Sequence, residues 1–261
     1  MLNFEIHLVD NCNLNCASCS HFAPLGEKNE LDPIVFENNL KSINSNVLDK
    51  IKSVRLMGGE PLLNTNINEI CILARKYFRN AEICIVTNGI LLKKMHKKFF
   101  DVCNINNIKI LVTYYNIKNL DKYIEFLKNV LNVNIDYFVG FFEEYGEPKY
   151  FNHYVIDCEG KQNFKENYKK CDAIKVWNCL QLVGTKLYCC NIGAYIKYFN
   201  KAFGYNIEDI EYLDLSKIND YSEIEKWYKI PKQICKYCDL SKCTQILWKK
   251  SEKDISEWIL K

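Results

Sequence analysis

Short apolar runs alternate, along the first 140 residues, with segments in which apolar side chains recur every three or four positions. The runs have the length of buried strands, and the spacing in the other segments indicates amphipathic helices. The predicted strands are residues 4–9, 53–57, 81–87, 108–114 and 133–139, with 154–156 as the candidate for a sixth. The predicted helices are residues 32–47, 67–77, 91–102 and 120–131. This alternation predicts an α/β fold with a parallel sheet and right-handed crossovers.

The pattern changes from about residue 157, where more than half of the 14 cysteines follow. Apolar segments at 177–183 and 186–190 flank Gly184 and predict a β-hairpin. A short helix is predicted at 223–228 and one long helix at 244–260. We therefore expect a first region, residues 1–156, and a smaller extension, residues 157–261.

Three cysteines follow the first predicted strand directly, in the spacing C-x3-C-x2-C. Cys12, Cys16 and Cys19 bring three thiolates into eight residues, which indicates one metal centre. A [4Fe-4S] cluster held by three cysteines leaves one iron open to bind a ligand. The alternatives are a zinc knuckle with His21 as the fourth ligand, or loop cysteines without metal.

A second motif, MGGEP, ends the second predicted strand at residues 57–61. Glycines allow the main chain to approach a ligand closely, and a carboxylate complements an ammonium group. By itself GGEP is typical of a turn at the end of a strand. Because it lies about forty residues after the cysteines, the pair of motifs is a more specific signal than either motif alone.

Together these two motifs resemble the radical S-adenosylmethionine (radical SAM) superfamily. The resemblance implies a partial (β/α)6 TIM-like barrel whose open iron chelates the amino and carboxylate groups of SAM. It implies that Gly58, Gly59, Glu60 and Pro61 hold the methionine ammonium. Thr87, Asn88 and Thr113, at later strand ends, would contact the ribose or carboxylate of SAM; Asn88-Gly89 also fits a simple turn.

The cysteine motif departs from the family at one position. Many members carry an aromatic residue just before the third cysteine, whereas this chain has Ser18. We therefore expect adenine stacking to fall to Phe22 or to another residue.

The C-terminal cysteines resemble the twitch and SPASM extensions of radical SAM enzymes, which begin C-x(9–15)-G-x4-C. The resemblance implies one auxiliary [4Fe-4S] cluster held by Cys171, Cys189, Cys235 and Cys238. Cys179 competes with Cys171 as a ligand, and Cys190 and Cys243 are unassigned. The alternative is a zinc ribbon.

By layout and length the chain resembles the 2-deoxy-scyllo-inosamine dehydrogenase type, an aminocyclitol alcohol oxidase. That resemblance implies hydrogen abstraction from a secondary alcohol of a sugar, aminocyclitol or sugar-nucleotide, with flavodoxin or ferredoxin as electron donor. Because the cofactor carries the chemistry, no acid or base residue can be identified from the sequence. The alternatives are a radical SAM epimerase, a peptide-modifying maturase, a glycyl-radical activase or a non-enzymatic metal-binding protein.

Charge and hydropathy limit the classes of partner that we expect for this protein. The net charge is +3, with 26% charged residues and no basic stripe, so nucleic acid is not expected. No apolar run approaches 18 residues, which predicts no membrane span. The chain starts directly with a strand, without a signal-like segment, so we expect a cytoplasmic protein without a leader-binding domain.

Overall fold

The computed structural model describes residues 1–115, 117–140, 150–208 and 211–260. The strands are β1 Asn3–Val9, β2 Ser53–Gly58, β3 Glu82–Thr87, β4 Ile108–Tyr114, β5 Ile135–Gly140, β6 Tyr150–His153, β7 Cys179–Val183, β8 Lys186–Tyr188, β9 Leu213–Asp214 and β10 Thr244–Leu247. The helices are α1 Pro33–Ser42, α2 Ser45–Leu48, α3 Ile67–Tyr77, α4 Lys97–Ile105, α5 Leu120–Asn129, α6 Phe164–Lys170, α7 Asp172–Lys175, α8 Asn191–Phe203 and α9 Tyr221–Lys229. Short 3₁₀ turns occur at Pro61–Leu63, Leu92–Lys94, Leu215–Lys217, Gln233–Tyr237 and Ile255–Glu257.

Eight of the described strands form one sheet, in the order β5-β4-β3-β2-β1-β7-β8-β9. Strands β1 to β5 pair in parallel, and β7 adds to the other side of β1, also in parallel. The predicted α/β class with a parallel-dominated, partial barrel sheet is confirmed. The carboxyl ends of β1 to β4 meet at one edge, which is where such folds place their sites.

Alternation along the strands separates two faces of the sheet. On β1, Phe4, Ile6 and Leu8 pack into the main apolar core with residues of α1, α3 and β2. Glu5, between them in sequence, lines a cavity on the opposite face. The period of two therefore places an apolar layer under the helices and polar groups inside the curved sheet.

Two predicted helices are shorter than expected. Asp32 caps α1 by accepting hydrogen bonds from the backbone N–H groups of Ile34 and Val35, as predicted. The continuous helix 32–47 is wrong, because Asn44 caps a separate helix, α2. Likewise α4 begins only at Lys97, after a 3₁₀ turn at Leu92–Lys94.

The predictions of a sixth strand at 154–156 and of one long helix at 244–260 are wrong. Residues 154–156 lie outside the strands, and the preceding β6 pairs antiparallel with β10 in a separate two-stranded sheet. Residues 244–260 form no long helix, because β10 takes the first of them and the following backbone pairs with the cysteine loop. Ala17 N–H donates to the carbonyl oxygen of Lys249 at 2.9 Å, and Ser251 N–H donates to the carbonyl oxygen of Asn15 at 2.8 Å. Tertiary pairing here outweighs helical propensity.

The hairpin about Gly184 is confirmed as β7 and β8, with Gly184 at φ 63°. Because β7 pairs with β1, the sheet continues across residue 156, and the division of the chain at that point stays a prediction. The buried helix α8, which ends at Gly204, was not predicted. No helix in the described ranges is long and apolar enough to span a bilayer.

Candidate functional site

The cysteine loop after β1 is a series of tight turns. Asn15, Ser18 and Phe22 have positive φ angles of 54–56°, a conformation that most residues avoid. This winding brings Cys12, Cys16 and Cys19 to the wall of one cavity of about 590 Å³. The predicted grouping of the three thiols is therefore present in the structure.

The thiols of this loop receive donors from the surrounding protein. Leu14 N–H donates to Cys12 Sγ at 3.4 Å, and Trp248 Nε1 donates to Cys16 Sγ at 3.0 Å. Burial raises the pKa of Cys12 to about 11 and that of Cys16 to about 12. Such thiols stay protonated at neutral pH unless a cation displaces the proton, as iron does on coordination.

The two glycines of the second motif lie against the cysteine loop. A Cβ on Gly59 would lie 2.0 Å from the carbonyl oxygen of Asn11, and Gly58 has φ 140°. Glu60 N–H donates to that same carbonyl oxygen at 3.0 Å. These contacts show that the glycines allow the two motifs to pack backbone to backbone, and the predicted close approach of a ligand to them stays a prediction.

Glu60 is fully buried on the cavity wall. Its carboxylate accepts hydrogen bonds from Thr87 Oγ1 at 2.6 Å, from Asn88 N–H at 2.9 Å and from Leu62 N–H at 3.1 Å. Burial raises the pKa of Glu60 to about 7, although these donors oppose the rise. A cationic group in the cavity would therefore stabilise the ionised carboxylate.

The other polar residues predicted at strand ends also line this cavity: Thr87, Asn88 and Thr113. Asn88 joins the strand end to the cysteine loop, because its side-chain amide donates to Asn13 Oδ1 at 2.7 Å and to Cys12 Sγ at 3.6 Å. Pro61 is buried at the start of the 3₁₀ turn that Glu60 caps. Whether these residues contact SAM stays a prediction.

Adenine stacking on Phe22 is inconsistent with the structure. Phe22 is fully buried in a second apolar core, against Phe199 and Trp258. Tyr115 and Trp248 instead present aromatic rings to the cavity, with centroids 6.0 Å apart. No local pattern predicts a role for Trp248, since it lies 229 positions after Cys19 and reaches the cavity only through the pairing of the C-terminal segment.

His21 lines the cavity and begins a chain of hydrogen bonds that leads away from it. His21 Nδ1 and His7 Nε2 lie 2.8 Å apart, and His7 Nδ1 lies 3.1 Å from Asp10 Oδ1. The His7 ring stacks on Tyr195 at 3.7 Å, and Tyr198 donates to Asp10. Burial lowers the pKa of both histidines. Because His21 Nδ1 is bonded to His7, the zinc-knuckle alternative would use His21 Nε2 as its ligand.

A second, much smaller cavity of about 20 Å³ is lined by Cys171, Cys190, Cys235 and Cys238. These residues come from the α6–α7 junction, the start of α8 and the 3₁₀ turn Gln233–Tyr237 with its end. Asn167 holds that turn, since its amide donates to the carbonyl oxygen of Cys235 at 3.0 Å. Three of the four predicted ligands, Cys171, Cys235 and Cys238, therefore line one cavity, and their binding of a cluster stays a prediction. The structure differs from the predicted set at the adjacent pair 189 and 190.

The difference is that Cys190, rather than Cys189, lines the second cavity. Cys189 is buried beside it, and its thiol lies within hydrogen-bonding reach of Cys190 and Cys235. Cys190 Sγ also accepts a hydrogen bond from Gly193 N–H at 3.5 Å and so caps α8. Both thiols therefore lie at the second cavity, Cys190 on its wall and Cys189 beside it.

Cys179, the sequence rival of Cys171, lies in the first cavity instead. Arg55 Nη1 donates to its sulfur at 3.1 Å and to Glu5 Oε1 at 3.0 Å. Cys171 lines the second cavity, so the two cysteines belong to different sites.

The donors at both sites fit iron–sulfur clusters. Among the described lining residues of the second cavity, the metal-binding side chains are thiols alone, which are the soft ligands that Fe–S clusters prefer. The first cavity offers three thiols beside enough volume for a ligand. Across the described ranges, no three His, Cys, Asp or Glu side chains are grouped as ligands of a single metal ion.

Comparison with known proteins adds partial sequence matches and one match over the whole fold. GTP 3',8-cyclase of Helicobacter pylori is 30% identical over 93 residues, which are 36% of this chain and 29% of that protein. GTP 3',8-cyclase of Clostridium acetobutylicum is 38% identical over 93 residues, with the same coverage. The match thus spans less than a third of the length of these relatives.

The solved structure of BtrN in complex with AdoMet and 2-DOIA superposes with a TM-score of 0.56 at 16% sequence identity, covering 100% of this chain and 99% of that one. This similarity extends the agreement in fold to the C-terminal extension. Residues 6–147, more than half of the chain, match the model of the radical SAM superfamily. With the three cysteines and the GGEP turn on one cavity wall, the chain belongs to the radical SAM superfamily.

Proposed function

We propose that this protein oxidises a secondary alcohol of a carbohydrate-like small molecule, with SAM bound in the first cavity and an auxiliary [4Fe-4S] cluster in the second. The observation that carries the proposal is the pair of cysteine-lined cavities, one with room for SAM and a substrate and the other without. The full-length similarity in fold to BtrN, solved with AdoMet and 2-DOIA, supports a small-molecule substrate.

The residues that would hold these groups follow from the two cavities. Cys12, Cys16 and Cys19 would bind the first cluster, and Glu60 would receive the ammonium of SAM. For the second cluster the ligands would be Cys171, Cys235 and Cys238, with Cys189 as the fourth because Cys190 caps α8. When bound, these groups supply the electron that cleaves SAM, a 5'-deoxyadenosyl radical that takes one hydrogen atom, and an acceptor for a second electron.

The electron balance fits an alcohol oxidation. The carbinol carbon loses a hydrogen atom to form 5'-deoxyadenosine, the hydroxyl loses a proton to water, and one electron leaves to an acceptor, which yields a carbonyl. The protein contributes placement and exclusion of water. The C-terminal segment provides cover, since Lys249 and Ser251 pair with the cysteine loop and Trp258 Nε1 donates to Cys19 O at 3.0 Å.

The test is turnover of anaerobically purified protein with SAM and a panel of carbohydrates in deuterated buffer. An external reductant such as reduced flavodoxin or ferredoxin primes the reaction. We expect about one carbonyl product, two mass units lighter than the substrate, per 5'-deoxyadenosine. Turnover of peptides alone would contradict the carbohydrate proposal.

One observation favours a second candidate, epimerisation. Cys179 lies in the first cavity, and burial raises the pKa of its thiol, which keeps the S–H group needed for hydrogen-atom donation. An epimerase would return a hydrogen atom from this thiol to the substrate carbon, and the thiyl radical left on Cys179 would take one electron from the external reductant and one proton from solvent. A product that has gained deuterium at carbon and has the same oxidation level as the substrate would favour epimerisation over oxidation. In Cys179→Ala this incorporation of deuterium should disappear.

A further inference from the structure

The first cavity extends beyond the cysteine and GGEP residues to a polar floor. Arg55 and Glu5 lie there, on the inner faces of β2 and β1, with Arg55 Nη1 donating to Glu5 Oε1 at 3.0 Å. Gln181 Nε2 donates to the other oxygen of Glu5 at 2.5 Å. Both carboxylate oxygens of Glu5 are therefore engaged by protein donors, and the group is held in place as a partner for Arg55.

Arg55 differs from the other two arginines in how much of its guanidinium the protein uses. The chain has three arginines among 35 basic residues. Arg75 donates to five backbone carbonyls, and Arg79 forms a two-point contact with Asp49. Arg55 uses only Nη1 within the described part of the chain. Its Nε and Nη2 donors have no hydrogen-bond partner among the described residues.

Two flat aromatic side chains line the same cavity as this guanidinium. Phe138 and Trp177 line the same cavity with 42% and 49% of their surfaces exposed. The Arg55 guanidinium carbon lies 5.1 Å from the centroid of the Phe138 ring, within the range of a cation–π contact. Exposed aromatic faces beside a few fixed polar groups are typical of a small-molecule site.

We propose that Arg55 binds an oxyanion, a carboxylate or phosphate, carried by a sugar-like substrate whose ring packs against Trp177 and Phe138. The remaining guanidinium donors suit two oxygens of one anionic group. The carboxylate of Glu5 is already paired with the charge of Arg55, so an ammonium group would meet no uncompensated negative charge at this floor. This inference rests on the proposed function and narrows its substrate class to acidic or phosphorylated sugars.

The experiment measures dissociation constants of four probes with the full chain, reconstituted anaerobically with iron, sulfide and SAM. The probes are glucose 6-phosphate, glucuronate, glucose and glucosamine, so that phosphate and carboxylate are tested separately. We expect one or both anionic probes to bind at least about tenfold tighter than glucose, and glucosamine to bind no tighter than glucose.

Two variants and a control test the role of Arg55. Arg55→Lys keeps the charge but removes the planar donors, and Glu5→Gln with Arg55→Gln removes both charges so that no buried carboxylate is left unpaired. Both should remove the preference for the anionic probe, by about ten- to a hundredfold. Arg79→Lys, at an exposed pair with Asp49, should preserve it. Iron content and near-ultraviolet circular dichroism show whether each variant folds.

The outcomes separate this inference from the proposed function. Equal binding of the four probes, or an unchanged preference in both Arg55 variants, overturns the role of Arg55 even if a carbonyl product forms. Arg55-dependent anion binding without any carbonyl product supports the subsite and contradicts alcohol oxidation.

Discussion

The two cysteine-lined cavities differ in how the chain builds them. The first takes its three thiols from one loop of eight residues and closes against a glycine-rich turn on the neighbouring strand. The second collects its thiols from three segments spread over residues 171–238. One cavity has about 590 Å³ of space and the other about 20 Å³. The difference indicates that a reactant can enter the first cavity, whereas the second leaves no room for one.

The largest expected effect separates the two sites. Replacing Cys12, Cys16 and Cys19 by Ala should abolish 5'-deoxyadenosine formation and leave about four irons per chain on the second site. Replacing Cys235 and Cys238 by Ala should remove about four irons and preserve SAM cleavage in the presence of dithionite. The measurements are iron and sulfide content and 5'-deoxyadenosine by chromatography. SAM cleavage by the triple variant would contradict the assignment of the first site.

The next prediction concerns the fourth thiol of the second cavity. Cys189→Ala should lose about four irons, because Cys189 contacts Cys235 and has no capping role. Cys190→Ala should keep the iron and lower the free energy of unfolding by about 0.5–1 kcal/mol, the low end for loss of a helix cap, since sulfur is a weak acceptor. The reverse pattern of iron contents would make the cavity-lining Cys190 the ligand.

The sequence predicts a cavity better when the residues that line it lie close together along the chain. Cys12, Cys16, Cys19 and Glu60 lie on local motifs at strand ends, and their grouping was predicted because parallel strands end at one edge. Trp248 and the β6–β10 pair depend on contacts between residues about a hundred or more positions apart, which no local periodicity encodes. For the same reason, spacing alone could not place Cys179 in the first cavity rather than the second.

A smaller effect is expected at Glu60. Glu60→Gln removes the charge that complements the ammonium of SAM and should weaken SAM binding by about 1.5–3 kcal/mol, the contribution of a hydrogen bond to a charged group. Isothermal titration of SAM into reconstituted protein measures this change. Glu257→Gln is the control, because Glu257 is a buried carboxylate that does not line the cavity. Equal affinities of Glu60→Gln and the unmodified protein would remove this role from Glu60.

The smallest expected effect is a pH dependence of folding that originates beside the first cavity. The His7 side chain is 5% exposed, and burial lowers its pKa despite the nearby Asp10. In the unfolded chain His7 takes up a proton near pH 6.5, whereas in the folded chain it stays neutral to a lower pH. The unfolded state therefore binds more protons below about pH 6.5, and the free energy of unfolding should fall as pH falls through that value.

Urea unfolding of the metal-free chain between pH 7.5 and 5.5 measures this slope, which is at most about 1.4 kcal/mol per pH unit for each buried histidine. His7→Gln should lower this slope by the share of one histidine, because the buried His21 still contributes, and His96→Gln, at an exposed position, should leave the slope unchanged. The second cavity has no histidine or carboxylate among its described lining residues, so it adds nothing to the slope. A slope in His7→Gln equal to that of the unmodified chain would assign the acid sensitivity to groups other than His7.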